Sequence, residues 1–313
     1  MSTRVRTYSR AKFLSFLGII SLFDVSQAWA DICSYYRRSS PLLYKNLCAN
    51  GKSSSRPAGA ASTLSSSFNL NAASLPSEPS SYGVETIVSR IRGSDGRIDA
   101  DVGLVKGFSK FGAGLSTASA NTFYGDNVLS RLANERQALA FESPEPARGK
   151  FSNLNLGTAI KLYDNKKGAG LRLGLSGRYN RITNSWGGGP ALLASYEALS
   201  LGVGYSRERV SNFLEPVQFM TYQASVKLWV LEFEGLWLTN SVPNLDPIPV
   251  GTVTARISRL MVSAAIRRLS TQDGIASNQT HYAVQYLFSK YLSLGAMFNY
   301  IPGANSLGVQ IYF

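Results

Sequence analysis

From about residue 82 onward the chain is written in segments of roughly ten residues in which apolar side chains fall at every second position, with turn-formers between them. A period of two is the repeat of a strand, and glycine and β-branched residues are too frequent here for a helix with a 3.6-residue repeat. "LNLGTAIKLY" sets Leu154, Leu156, Ile160 and Leu162 on one side and Asn155, Gly157, Ala159 and Lys161 on the other. "DNKKGAG" then turns the chain into "LRLGLSGRY", where Leu171, Leu173, Leu175 and Tyr179 oppose Arg172, Gly174, Ser176 and Arg178. The pair reads as an antiparallel hairpin, and the rhythm recurs to the last residues.

A soluble sandwich hides its apolar face between sheets, whereas a transmembrane barrel turns it to lipid and lines its lumen with polar and small side chains. Segment length favours the barrel, because a tilted strand needs ~9–11 residues to cross a bilayer and soluble strands average ~5–6. The polar face carries glycines and mid-strand charges such as Arg172, Lys227 and Arg256. Aromatic residues gather near strand ends in two groups. Tyr179, Tyr205, Tyr222, Trp237, Tyr282 and Tyr300 fall at one end, and Tyr163, Trp229, Phe288, Tyr291 and Phe313 at the other. Two such belts are what the two membrane interfaces select. Connections alternate between very short (around Glu197, Trp229, Arg259 and Ser289) and longer, as in "NSVPNLDPIP".

The expected fold is therefore all-β: a transmembrane, antiparallel, up-and-down barrel of about 14 strands, with 12 as the alternative. The strands are placed at 84–92, 97–105, 108–118, 152–163, 170–181, 189–197, 199–209, 218–228, 231–240, 250–258, 261–270, 280–288, 291–300 and 305–313. An even count puts both ends of the chain on the short-turn side. Fourteen strands enclose more space than their own side chains can fill, so something must line, narrow or plug the lumen.

The residues before the barrel supply a candidate. "MSTRVRTYSRAK" is basic, "FLSFLGIISLF" is an apolar run too short to span a bilayer, and "SQAWA" ends on an A-x-A pattern. Residues 1–30 read as a cleaved secretory signal. Their removal takes away four basic residues and one acid, lowering the net charge from +13 to +10. The remaining basic residues sit singly and form no nucleic-acid motif. Cys33 and Cys48, in an oxidising compartment, are expected to form a disulfide, since two cysteines without a nearby histidine cannot complete a structural zinc site. Residues 49–80 are rich in Ser, Ala, Gly and Pro and cannot build a core of their own. The domains are thus 1–30 signal, 31–80 plug or periplasmic segment, and 81–313 barrel.

The closing "GVQIYF", with Val309, Ile311 and Phe313 on one side, resembles the C-terminal sorting signal of bacterial outer-membrane β-barrel proteins. That resemblance implies insertion into outer-membrane lipid by the barrel-assembly machinery. "NLNAASLPSEPSSYGVETI" is similar to the stretch before the first strand of FadL-like transporters of fatty acids and hydrocarbons, with Asn71-Ala72-Ala73 where that family has Asn-Pro-Ala in an N-terminal hatch. It implies passive uptake of a small, hydrophobic solute through a plugged lumen.

Alternation assigns Lys110, Lys161, Arg172, Arg178, Lys227, Arg256 and Arg267 to the lumen, against Asp99, Asp101, Glu232 and Glu234. Such a lining either attracts anions or forms a salt-bridge network, for which Lys227 and Glu232 flank a suitable short turn. His281, the only histidine, falls on the same face without a serine in the pattern a lipid-hydrolysing barrel would need, so no enzymatic activity is expected. Residues 119–150 contain "GDNVLSRLANERQALAF", which has helical spacing and reads as a short amphipathic helix covering the pore or the rim. No cofactor or metal motif is present.

Overall fold

The computed structural model describes residues 71–75, fourteen strands and most of the turns between them; residues 1–70, 76–81, 92–97, 119–152 and several shorter connecting stretches fall outside the description. The strands are β1 (Tyr82–Ile91), β2 (Ile98–Gly107), β3 (Phe111–Ala118), β4 (Asn153–Asp164), β5 (Gly170–Asn180), β6 (Ser185–Tyr196), β7 (Leu199–Val210), β8 (Val217–Leu228), β9 (Leu231–Asn240), β10 (Ile248–Ile257), β11 (Leu260–Ser270), β12 (Ala276–Leu287), β13 (Leu292–Phe298) and β14 (Ala304–Tyr312). Each pairs antiparallel with its neighbours in sequence, and β14 closes on β1 through pairs such as Thr86↔Val309 and Val84↔Ile311. Closure leaves no unpaired strand edge in an apolar solvent, where each unsatisfied backbone group would cost several kcal/mol. Fourteen strands is the count that the alternation predicted, and the twelve-strand alternative is excluded.

The two faces separate residue by residue. Along β8, Val217, Phe219, Thr221, Gln223 and Ser225 are buried while Gln218, Tyr222, Ala224 and Leu228 are exposed. Along β5, Leu173, Leu175 and Tyr179 are exposed and Gly174, Arg178 and Asn180 buried. Because the sheet is closed, the exposed aliphatic face is the outer wall and the buried face the lumen. Leu307, Val309 and Ile311 belong to the outer face of β14, with Gly308 buried between the first two. Among the described aromatics, Tyr179, Trp186, Tyr222, Trp237 and Tyr282 are exposed toward one end of the barrel, and Phe108, Tyr163, Tyr196, Trp229 and Phe288 toward the other. This amphipathic closed surface is that of a membrane span.

Two-residue connections such as 229–230 and 258–259 demand a left-handed residue, which Trp229 (φ 58°) and Ser258 (φ 57°) supply. For L-residues this conformation costs about 1–2 kcal/mol and is worst with a branched Cβ. Ser258→Val is expected to destabilise the barrel by about 1–2 kcal/mol, and Ser258→Gly to be neutral or mildly stabilising, read as urea midpoints of the refolded protein. Equal midpoints for all three would show that the hairpin does not hold this geometry.

Candidate lumen and plug site

Inside the closed wall lies a short stretch of backbone that belongs to no strand. Residues Ala72–Ser74 form a single 3-10 turn. Asn71 begins it in an extended conformation, and its Oδ1 accepts from the Ala73 N–H at 3.0 Å, which satisfies one of the donors that a helical start leaves open. The Ser74 hydroxyl donates back to the Asn71 carbonyl at 2.8 Å, and Leu75 N–H closes on Ala72 O at 3.1 Å. The turn is thus internally satisfied, and Asn71 Nδ2 remains free to reach the wall, where it donates to the Leu192 carbonyl of β6 at 3.2 Å.

The wall is shaped to receive it. Ala72 and Leu75 cluster with Val105 of β2 and Ala159 of β4, while Ala73 packs with Ala191 and Leu193 of β6; all are buried. Glycine is required at one wall position, and a second glycine lies close under the Asn71 side chain. A Cβ on Gly174 would stand 2.1 Å from Ala73 N and 2.5 Å from the Ala72 carbonyl carbon, and one on Gly202 would stand 2.6 Å from Asn71 Nδ2. Beyond the turn, the space bounded by Ala72, Ala191, Gly204, Phe219, Thr221 and Leu238 gives the centre of a water molecule only ≈ 10 Å³, about the room for one water.

Burial of the lumen face extends to strands that the turn does not touch. Ile87 on β1, Thr252 on β10, Ala265 on β11, His281 on β12 and Met297 on β13 are all below 5 % exposed. A water-filled pore of this strand number would leave such side chains wet. Burial of lumen-facing side chains thus runs around the described wall and is not confined to the seat of the turn.

On β8–β10 the lining is divided by chemistry along the axis. Toward the long-connection end, Val217, Phe219, Leu236, Leu238, Ile248 and Val250 make an apolar wall on β8–β10, held in register by the pairs Leu238↔Ile248 and Leu236↔Val250. Toward the short-turn end the same strands turn polar. Glu232 of β9 meets Arg256 of β10 at 2.9 Å, both nearly fully buried, and Gln223 Nε2 donates to Glu234 Oε1. Thr254 and Ser263 share a hydrogen bond at 3.0 Å. At the long-connection end, on β3 and β4, Asn155 Nδ2 donates to Ser116 Oγ at 3.1 Å. At the long-connection end, beside the apolar wall, Arg178 of β5 lies 3.5 Å from Glu208 of β7, whose other oxygen accepts from Ser206; Glu208 is the strand partner of Val217.

Most of the sequence-assigned lumen charges occupy that face, but they are not one cluster. Lys161 is at the short-turn end and pairs with Asp164 at 3.1 Å, next to a β-bulge between Lys161 and Tyr163. Arg172 and Arg178 follow each other up β5, Arg267 is buried on β11, and Lys227 sits opposite Glu232 in the β8–β9 hairpin. Two expectations are corrected. Lys110 is not on a lumen strand: it is exposed in the turn before β3, because the Phe108 N–H bonds the Phe111 carbonyl and closes the hairpin there. The ion pair of Glu232 is with Arg256, not with its hairpin neighbour Lys227, because the bidentate-capable guanidinium reaches diagonally across from β10.

Glu208 escaped the sequence reading although alternation in "GVGYSRERV" puts Gly204, Ser206 and Glu208 on one face. It is 2 % exposed and is the acid to which Arg178 turns. His281 is fully buried on the lumen face, and no group of three metal-ligating side chains occurs among the described residues. The side chains of Asp99, Asp101 and Phe313, the cysteines 33 and 48, the signal at 1–30 and the segment 119–150 lie outside the described residues.

No family model matches the chain, and no curated protein matches it. Solved structures with a similar course are porin barrels. The outer membrane protein Omp33 of Acinetobacter baumannii is 10% identical, with 75% of this chain and 100% of that one covered at a TM-score of 0.44. A mutant of the Rh. blastica porin is 10% identical over 74% and 99%, at 0.42. The KdgM porin, solved in complex with disordered oligogalacturonate, is 10% identical over 74% and 99%, at 0.40. At these scores the likeness adds nothing to what the strand pairing already establishes.

Proposed function

We propose that this protein is a bacterial outer-membrane channel for passive uptake of a small solute, held shut here by the segment that precedes its first strand. The observation that carries the reading is the seating of Asn71–Leu75 on the lumen wall, through a capped turn, a hydrogen bond to β6 and the close approach of its backbone to Gly174. A barrel built only as a scaffold has no need of a separately folded insert in its lumen. Short turns at the end where β1 begins and β14 ends, and longer connections at the other, support an orientation with the short-turn end toward the periplasm.

The solute we favour is hydrophobic. Phe219, Leu238, Ile248 and Val250 line the lumen on the side toward the longer connections, next to the seat of the turn. An apolar lining in a channel offers nothing to a sugar or an ion, but removes apolar surface from water at ~25 cal/mol per Å². The Asn-Ala-Ala sequence that resembles the hatch motif of the FadL-like transporters is the stretch that forms the turn. The sequence around His281 lacks the serine pattern of a lipid-hydrolysing barrel, and on that ground we read the barrel as non-enzymatic.

Flux into vesicles separates the solute classes. Phe219→Asp with Leu238→Asp is expected to lower the entry of a medium-chain fatty acid about tenfold, corresponding to ~1.4 kcal/mol of lost apolar contact, while leaving a polar solute of equal size unchanged. Equal effects on both solutes would mean that the apolar wall is packing and not a path.

The second reading, a barrel that never conducts, is favoured by the burial around the whole lumen. Conductance distinguishes the two.

A further inference from the structure

The outer wall carries a feature that transport does not use. On β7 the outward positions run Leu199, Leu201, Val203, Tyr205 and then Arg207 and Arg209, both exposed, while Gly204 and Glu208 between and beside them are buried toward the lumen. Registration fixes their neighbours. Arg209 lies beside Trp186, which lies beside Tyr179; one step toward the bilayer centre, Arg207 lies between Gly188 of β6 and Gln218 of β8. The two arginines therefore stand at the level of the aromatic belt on the long-connection side, where headgroups meet hydrocarbon.

Two guanidinium groups about 7 Å apart on one strand face repel each other, and facing lipid they lose part of their hydration. Among the described residues, no acid forms an ion pair with either arginine. Glu208 points inward, and the other outward arginine that has a partner, Arg268, meets Asp246 on a different part of the rim at 3.7 Å. Glu215, exposed in the β7–β8 connection, forms no ion pair with either arginine in the structure. Arg181, exposed just past β5, adds a third positive charge to this sector. Beside Arg207 the wall is stepped: the pair Gly177↔Gly188 carries no side chains, between the rung Tyr179↔Trp186 above and Leu175↔Pro190 below. A Cβ on Gly177 would meet nothing within 4 Å, so the step is open to the lipid side.

We propose that Arg207 and Arg209, with Gln218 alongside, bind the phosphate of a phosphorylated lipid in the outer leaflet, whose headgroup backbone rests on the step at Gly177 and Gly188. Arginine's planar fork matches phosphate oxygens in pairs, and a basic cluster at the interface selects anionic lipid. A rigid strand pre-positions both side chains, so little order has to be gained on binding. The inference rests on the outer-membrane orientation proposed above, but not on conduction; a barrel that conducts without holding lipid would overturn this site and leave the channel intact.

The test titrates lipid A, a bis-phosphorylated acylated disaccharide, into the folded protein in neutral detergent and counts bound lipid by native mass spectrometry. Wild type is expected to retain one lipid, with affinity falling about tenfold or more in Arg207→Gln/Arg209→Gln and by a similar factor for dephosphorylated lipid A. Arg268→Gln should bind as wild type. Should the glutamine pair fail to fold, the lysine pair keeps the charge while losing the fork and should still weaken binding several-fold. The proposal is overturned by full binding in the double variant, by equal loss in Arg268→Gln, or by displacement of the lipid with inorganic phosphate at the lipid's own affinity.

Discussion

Gly174→Val is expected to open the barrel. A Cβ at this position would lie 2.1 Å from the backbone of Ala73, and the obstacle is main chain on both sides, so neither a rotamer change nor a small slide relieves it. The strand itself tolerates the change, since valine favours extended backbone and β5 is paired along its length on both edges. What gives way is the turn. Its hold consists of the burial of Leu75, about 1.5–3 kcal/mol, and the Asn71 cap, about 1 kcal/mol, with the bond to Leu192 in addition. Losing about 3 kcal/mol of that seat shifts the closed-to-open ratio by roughly 100-fold. Single-channel recording should show long open events in Gly174→Val and wild-type behaviour in Gly235→Val, whose added Cβ meets nothing within 4 Å. If both glycine variants remain as closed as wild type, the turn is not the gate.

Glu232→Ala should be among the most damaging single substitutions in the described wall. It leaves the Arg256 guanidinium, 6 % exposed, without the carboxylate that it meets at 2.9 Å. Removing one member of a buried pair costs about 3–5 kcal/mol, because the remaining charge is neither solvated nor matched. Lys227, opposite Glu232 in the hairpin, worsens matters by adding a second cation to the same end of the lumen. The replacement of both partners, Glu232→Leu with Arg256→Met, should recover most of the loss, since an apolar pair of similar volume demands no desolvation. Urea midpoints in detergent would read the difference. A double variant no better than the single one would place the cost in shape, not in charge.

Much of this architecture is written in local pattern. Period two set the faces of strands such as β4 and β5, turn chemistry set their ends, and the amphipathic "GVQIYF" falls on the strand that closes the barrel against β1. The same parity assigned Arg172, Arg178, Arg256 and Arg267 to the lumen, and Arg178, Arg256 and Arg267 are buried in the structure. Parity says nothing about which charge meets which. Glu232 could pair along its hairpin with Lys227 or diagonally with Arg256, and only the reach of the side chains across β9 and β10 decides. Glu208 was overlooked among the arginines that flank it, although its neighbours point the other way. Lys110 was misplaced because β3 begins three residues later than the alternation suggested, at Phe111 and not at 108. The seat of Asn71–Leu75 could not be derived from composition at all: the glycines beside it, Gly174 and Gly202, are separated from it by about a hundred residues or more in sequence.

The central claim is that the chain before β1 closes a lumen that would otherwise conduct. Planar-bilayer recording of refolded residues 31–313 beside the same barrel lacking residues 31–80 tests it most directly. The account predicts a nearly silent mature protein and a truncated one that conducts steadily. Silence from both would show that the side chains of the wall seal the barrel by themselves, and the protein would then be a closed scaffold.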